Sequence, residues 1–279
     1  PTPHTSSAAS DVYKRQPLVE IIMGKETSQE TLAKTMDYVQ KIRKTPIVVN
    51  DSRGFYTSRV FGTYTGEGVA MLAEGIKPAL IENAGKMTGM PMAPLALSDA
   101  VALDLAWKVT TQTKKDFEAE GKEFPITPMY SIMEEMVEKQ GRFGKKNNKG
   151  FYEYPENGKK YLWPELSNLC KESDDQPDVE ELKKRFLYIQ ALETAKCYEE
   201  NVLTDVRDAD IGAILGWGMA PWTGGPLSFI DMVGVKEFVA EADKLAQKYG
   251  ERFTPCKMLR DMAAKNESFH KSGSSSQAA

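Results

Sequence analysis

PLVEIIMGKETSQETLAKTMDYVQKIRKTPIVVND, residues 17–51, changes its hydrophobic period twice. Residues 17–23 form a β-rich apolar run bounded by Gly24, with one carboxylate, Glu20, in its middle. TSQE (27–30) has the form of a capping box, Thr27 accepting from the amide three residues on and Glu30 reaching back. Leu32, Met36 and Val39 then share one stripe with Ile42 nearby, and Lys41, Arg43 and Lys44 suit the negative end of a helix dipole. TPIVVND (45–51) reads as a second buried strand. Strand, helix and strand make a βαβ unit, the sign of a parallel sheet, and one such unit cannot bury both its faces. The stretch reads as the end of a larger α/β domain.

From Gly54 onward the period is helical. The spacing predicts a helix over about 55–74, with Phe61, Tyr64, Met71 and Leu72 buried, and a shorter one in KPALIENAGKMTG (77–89). A third is predicted over SDAVALDLAWKVTTQTKKDF (98–117), with Ser98 as its N-cap. In TPMYSIMEEMVEKQG (127–141) Thr127 caps, Pro128 takes the first position and Gly141 closes. Residues 155–180 are mixed and acidic, a linker with room for one short helix. Beyond it the pattern returns. EGVAMLAEGI (67–76) is echoed by ETAKCYEENV (193–202), 126 positions on, and MAPLALSDAV (92–101) by GGPLSFIDMV (224–233), 132 positions on. Two copies of one helical unit explain the echo, and so does chance likeness between amphipathic helices.

Composition narrows the function. Lys and Arg number 36 against 40 Asp and Glu, for a net charge of −4, which argues against a nucleic-acid surface. No apolar run approaches membrane-spanning length. Cys170, Cys197 and Cys256 form no CxxC pair, and with His4 and His270 as the two histidines no metal centre is expected. These traits suit a cytoplasmic, soluble protein. Pro1–Gln16 has no structural logic and reads as non-native or disordered, and residues 271–279 as a disordered tail.

Three stretches, LVEII, GFYTSRVF with its downstream GMPMAPLALSD, and GRFGKKNNKGFYEY, stand in an order and spacing that resemble the 3-hydroxyacyl-CoA dehydrogenase family. The likeness is strongest to its bacterial multifunctional fatty-acid oxidation branch and covers about residues 17–270. It implies a mainly α fold: a duplicated helical C-terminal part preceded by the last βαβ of a Rossmann domain. The implied division is 17–50 for the end of the NAD-binding domain, 51–154 for the first helical domain, 155–182 for a linker and 183–270 for the second repeat. It also implies NAD as cofactor, an acyl-CoA substrate, a homodimer and a thiolase subunit as partner. The Rossmann fingerprint GxGxxG is absent: GWGMAPWTGG (216–225) follows a helix, and GRFGKKNNKG (141–150) lacks the Ser or Thr of a Walker A loop. The chain is therefore read as an N-terminally truncated piece of such an enzyme, inactive alone.

Oxidising a secondary alcohol needs a base near neutral pKa, and a carboxylate can orient an imidazole for that task. The resemblance implies a His–Glu pair, with the histidine twelve residues before the glutamate. Glu20 matches the glutamate, but the place twelve residues earlier holds Ala8, and His4 lies off the spacing. Residue chemistry alone would leave Glu20 a solvent-facing strand residue. Ser58 in GFYTSR occupies the place of an asparagine in the family's GFxxNR, where a hydroxyl cannot offer an amide's separate donor and acceptor. Its role is altered, or Thr57 or a water fills in, or Ser58 only bonds the helix backbone. Lys146 matches a lysine that contacts the dinucleotide, with Lys145 and Lys149 as decoys. Gly89, Pro91 and Pro94, echoed by Pro221 and Pro226, shape turns ahead of Asp99 and Asp231, which read as helix caps; Trp217 and Trp222 read as packing or interface residues. Two other functions stay open: a non-enzymatic helical dimerisation module, and another β-hydroxyacid dehydrogenase relying on a lysine.

Overall fold

The computed structural model describes residues 17–124 and 126–270, so the readings of Pro1–Gln16, His4, Ala8 and residues 271–279 lie outside the described residues. β1 (Leu18–Met23), α1 (Gln29–Lys41) and β2 (Thr45–Asn50) form the expected βαβ unit, with β1 and β2 parallel and Glu20 opposite Ile47. The cap of α1 is Ser28, not Thr27: its side chain accepts from the Thr31 amide, while Thr27 Oγ1 accepts from Gly24. Glu30 pairs with Lys34 rather than reaching back. Ser and Thr stand side by side here with equal capping chemistry, and a one-residue shift satisfies both.

Next come α2 (Thr57–Ala73), α3 (Pro78–Met87), α4 (Pro94–Val101) and α5 (Leu103–Ala119). Phe61 on α2 is half-buried, whereas Tyr64, Met71 and Leu72 are fully so. The single helix expected over 98–117 is two, broken at Ala102, and Ser98 lies inside α4 with its hydroxyl donating to the Pro94 carbonyl. α6 (Pro128–Glu134) runs into a π turn at Glu135–Lys139; Thr127 precedes it without a side-chain capping bond. A small hairpin pairs β3 (Tyr152–Glu153), just before the stretch read as a linker, with β4 (Tyr161–Leu162), which lies in that stretch together with the short α7 (Leu166–Leu169). α8 (Val179–Glu199), α9 (Val206–Trp217), α10 (Pro226–Val233), α11 (Val235–Tyr249) and α12 (Lys257–Lys265) complete the chain. Two compact units result, one joining residues up to Phe61 with those from Leu187, the other Gly62–Phe186.

The echo in sequence is an echo in bonding. In the first copy Glu82 accepts from the Leu95 and Ala96 amides at the start of α4 and from Tyr152 Oη. Asp99, further along α4, accepts from the Phe151 and Tyr152 amides. In the second copy Asp210 accepts from the Leu227 and Ser228 amides at the start of α10 and bonds His270 Nε2, while Asp231 accepts from the Phe269 and His270 amides. Asp99 and Asp231 are thus not caps. Each sits within its helix and grips a later extended segment; the capping carboxylates are Glu82 and Asp210.

The long helices repeat as well. Arg59 binds Glu193 and Glu200 within one unit, and Arg185 binds Glu67 and Glu74 within the other. All three pairs of positions, 59 and 185, 67 and 193, 74 and 200, are 126 apart. Chance likeness between amphipathic helices would not reproduce this set of partners.

The joint between the third and fourth helix of each copy has one geometry: Ala102 at φ 86°, ψ 117° and Gly234 at φ 93°, ψ 123°. An L side chain is strained there. Ala102→Gly is expected to stabilise the chain by about 1 kcal/mol, or roughly 2–4 °C in Tm. Thermal unfolding followed by circular dichroism checks this, and a lowered midpoint would contradict it.

Candidate active site

Glu20 points from the middle of β1 at the first turn of α2. One oxygen accepts from the Tyr56 amide (3.1 Å) and the Thr57 amide (2.9 Å), and the other accepts a short bond from Thr57 Oγ1. A helix start leaves amides without partners, and a carboxylate there also meets the positive end of the dipole. Glu20 is therefore not a solvent-facing strand residue. Phe55, at φ 48°, makes the sharp entry, and Tyr56 is buried with its hydroxyl donating to the Ala209 carbonyl and its ring edge-on to Trp217. Trp217 donates to Gln190, a packing role, whereas Trp222 is exposed.

Ser58 is exposed, and the hydroxyl that reaches Glu20 belongs to Thr57. The signal for Thr57 was present in GFYTSR, where two adjacent hydroxyl residues open the helix and only one can face the strand. Glu20 and Ser58 belong to one unit and Lys146 to the other. His270, the one histidine among the described residues, bonds Asp210 and Ser228 rather than Glu20.

Lys146 lies in a single 3-10 turn, Lys145–Asn147, between two glycines whose neighbours are fixed. Arg142 is buried, donates to the Gly150 carbonyl at 2.8 Å, pairs with Glu153 and lies over the Trp163 ring. Gly150 has no room for a Cβ, because the Asp99 carboxylate fills that space. Burial pushes the Asp99 carboxyl up to about 6, against the pull of the Phe151 and Tyr152 amides and Tyr154 Oη. From this loop Lys146 Nζ reaches Asp104 Oδ2 at 2.7 Å, while Lys145 and Lys149 are simply exposed. The hydrogen bond from Lys146 holds the Asp104 carboxyl below its ordinary range.

The fit to NAD is partial. Between β1 and α1 the chain closes a tight turn, with Thr27 bonded to both backbone groups of Gly24, and no glycine cradle for a pyrophosphate forms. What does suit a nucleotide is Lys146, a largely exposed ammonium held in place by Asp104 Oδ2. A separate cavity of about 440 Å³ opens at the carboxyl ends of β1 and β2, lined in part by Lys25, Asn50, Asp51 and Ser52; it includes neither Glu20 nor Ser58.

Residues 54–154 match the family described as 3-hydroxyacyl-CoA dehydrogenase, C-terminal domain, and residues 13–52 match the family described as 3-hydroxyacyl-CoA dehydrogenase, NAD binding domain. Among solved structures, a 3-hydroxybutyryl-CoA dehydrogenase from Escherichia coli has a similar fold, with a TM-score of 0.69 at 21% identity, over 90% of this chain and 68% of that one. The dehydrogenase part of multifunctional enzyme 1 from C. elegans gives a TM-score of 0.63 at 25% identity, over 88% of this chain and 56% of that one. This chain thus spans a little over half to two thirds of their lengths.

Two outcomes follow from the geometry. Glu20→Gln removes charge from the cap and should cost about 1–2 kcal/mol in urea unfolding, with faster amide exchange at Tyr56 and Thr57, while Ser58→Ala should stay within about 0.5 kcal/mol. Equal costs for the two variants would contradict the assignment of the cap. For Asp99 the folded carboxyl titrates above its unfolded value, so its contribution to stability is full below about pH 4 and is lost as pH rises through about 6. Urea unfolding of wild type and Asp99→Asn across that range should show the gap between them narrowing as pH rises.

Proposed function

The chain belongs to the 3-hydroxyacyl-CoA dehydrogenase family, and we propose that it supplies the acyl-CoA cleft and contact surfaces of an enzyme oxidising (3S)-hydroxyacyl-CoA to 3-oxoacyl-CoA in fatty-acid β-oxidation. The observation that carries this reading is the Glu20 carboxylate fixed at the first turn of α2, beside an exposed Ser58 hydroxyl. NAD, when bound, accepts the hydride. Glu20 has the chemistry to orient an imidazole and stabilise its charged form, because Oε2, engaged by Thr57 alone, keeps a lone pair. Ser58 can donate to the substrate oxygen, and Lys146 can meet the dinucleotide's polar backbone.

The domain division belongs to the same proposal: residues 17–50 as the end of the NAD-binding domain, 51–154 and 183–270 as two helical domains, and 155–182 as the linker. So do a cytoplasmic location, a homodimer, and a thiolase subunit that would take the 3-oxoacyl product. Exposed Leu105 and Val109 on α5, and Trp222 and Met232 near α10, offer apolar surface for such contacts. No described helix is long and apolar enough to cross a membrane.

No imidazole among the described residues faces Glu20, so the 279-residue chain is read as a piece that does not complete the reaction by itself. Incubated with acetoacetyl-CoA and NADH, it should show no loss of absorbance at the NADH band above a no-protein control. Measurable turnover abolished by Glu20→Gln would overturn this and would mean that the chain holds its own base. A non-enzymatic helical module would also be silent in that assay, but would show no binding of acyl-CoA in calorimetry.

A further inference from the structure

PENGKK (155–160) lies in the turn between β3 and β4, and every one of its residues is exposed. It holds the one asparagine of the chain that glycine follows, Asn157. The side-chain amide carbon of an asparagine is one ring closure away from the backbone nitrogen of the next residue. Two features ordinarily keep them apart: the next side chain crowds the approach, and the next amide is committed to a hydrogen bond.

Neither feature is present at Gly158. It has no Cβ, its φ is 139°, and the place of a Cβ meets only Pro155 Cγ at 3.6 Å. Among the described residues, nothing accepts a hydrogen bond from the Gly158 amide, and nothing bonds the Asn157 side chain. The other asparagines are held. After Asn50, Asn147, Asn148, Asn168, Asn201 and Asn266 the next amide donates to a carbonyl, and Asn83 lies inside α3. Asn147 is held twice over, since its side chain also accepts from the Phe143 amide and donates to the Gly141 carbonyl. Sequence marks Asn157 by its neighbour; the structure marks it by the uncommitted nitrogen beside it.

We propose that Asn157 is a self-modification site, at which the Gly158 nitrogen closes a succinimide. The nitrogen attacks Asn157 Cγ, its proton passes to water, and the side-chain nitrogen leaves as ammonia. Water then adds to either ring carbonyl, giving aspartate from one opening and isoaspartate from the other. Nothing is oxidised or reduced, and water is the single co-reactant. Either product puts a negative charge into the turn that carries Lys159 and Lys160, and isoaspartate also lengthens its backbone by one atom. Lys160 holds its ammonium 4.4 Å from the centre of the Tyr152 ring, and Tyr152 and Tyr154 donate to the buried Glu82 and Asp99. The modification therefore falls on the hairpin that ties down the two buried carboxylates of the first copy.

Mass spectrometry of the full chain, digested after incubation in mildly alkaline buffer, tests this. The peptide holding Asn157 should gain about 1 Da and split into two chromatographic species, one of which an isoaspartyl methyltransferase with S-adenosylmethionine should methylate. The rate in the folded chain should lie within roughly tenfold of that in a capped peptide of residues 155–160, because no local opening is needed. Gly158→Ala should slow the reaction by roughly tenfold or more, and Asn157→Gln, which would have to close a larger ring, should remove the signal on the same timescale. A folded chain slower than the peptide by about a hundredfold or more would mean that the turn holds the Gly158 nitrogen off Cγ, and the proposal falls. It falls equally if another asparagine is converted first, or if Gly158→Ala leaves the rate unchanged.

Discussion

A guanidinium with no exposed surface has to be paired. Arg185 is such a group, and Glu67 on α2 and Glu74 just past its end receive it. Removing one partner of a buried pair costs about 3–5 kcal/mol, because the other charge is left without water or counter-charge. Few registers of α8 along α2 can meet that demand, since the two glutamates are seven residues apart and bind different nitrogens of one side chain. Arg59 repeats the arrangement with Glu193 and Glu200 in a wetter setting, where the energy at stake is smaller. The helices that carry the rest of the fold are thus indexed by charge as well as by packing.

With the register set, each copy reuses one small kit: a carboxylate that receives the Pro-led short helix, and an aspartate within that helix that receives the amides of a later segment. The residue closing the kit differs, Tyr152 against Glu82 in one copy and His270 against Asp210 in the other. Pro94 shows why the short helix sits so close: Gly68 on α2 and Gly85 on α3 leave it the space a Cβ would take. The same kit positions the loop of Lys146, because Asp99 grips that loop's far end through two amides. A lysine otherwise free to wander in solvent is thus held by a buried carboxylate that grips the chain at Phe151 and Tyr152, just downstream of it.

Much of this could be read from residues alone where the signal was periodic. The strands of the βαβ unit, the helices around Tyr64 and Met71, and the repeat offset of 126 all rest on spacing, which survives without a structure. What could not be read had a different origin. The break at Ala102 is invisible because alanine is the strongest helix former and the strain at its positive φ comes from tertiary packing. Asp99 looked like a cap because aspartate is a capping residue, yet its partners lie more than fifty positions away. Glu20 and Lys146 stood out by family likeness, and Thr57 was one of two adjacent hydroxyls that the sequence could not tell apart, whereas Asp104 is 42 positions from its lysine and meets it only through the tertiary fold.

The Glu20 carboxylate shows how a cap and an orienting group can be the same atoms. Two amides on one oxygen and a hydroxyl on the other fix the plane of the carboxylate without exhausting its acceptor capacity. A glutamine there would present an NH2 toward either the amides or the Thr57 hydroxyl, and one of those contacts would turn from donor–acceptor into donor–donor unless the hydroxyl rotated away. The charge also meets the positive end of the α2 dipole. A carboxylate so held needs no further reorganisation to stabilise a cation beside it, which is the property an orienting partner of a base requires. Its rigidity comes from a strand and a helix start rather than from a loop, so the placement of the chemistry is inherited from the fold.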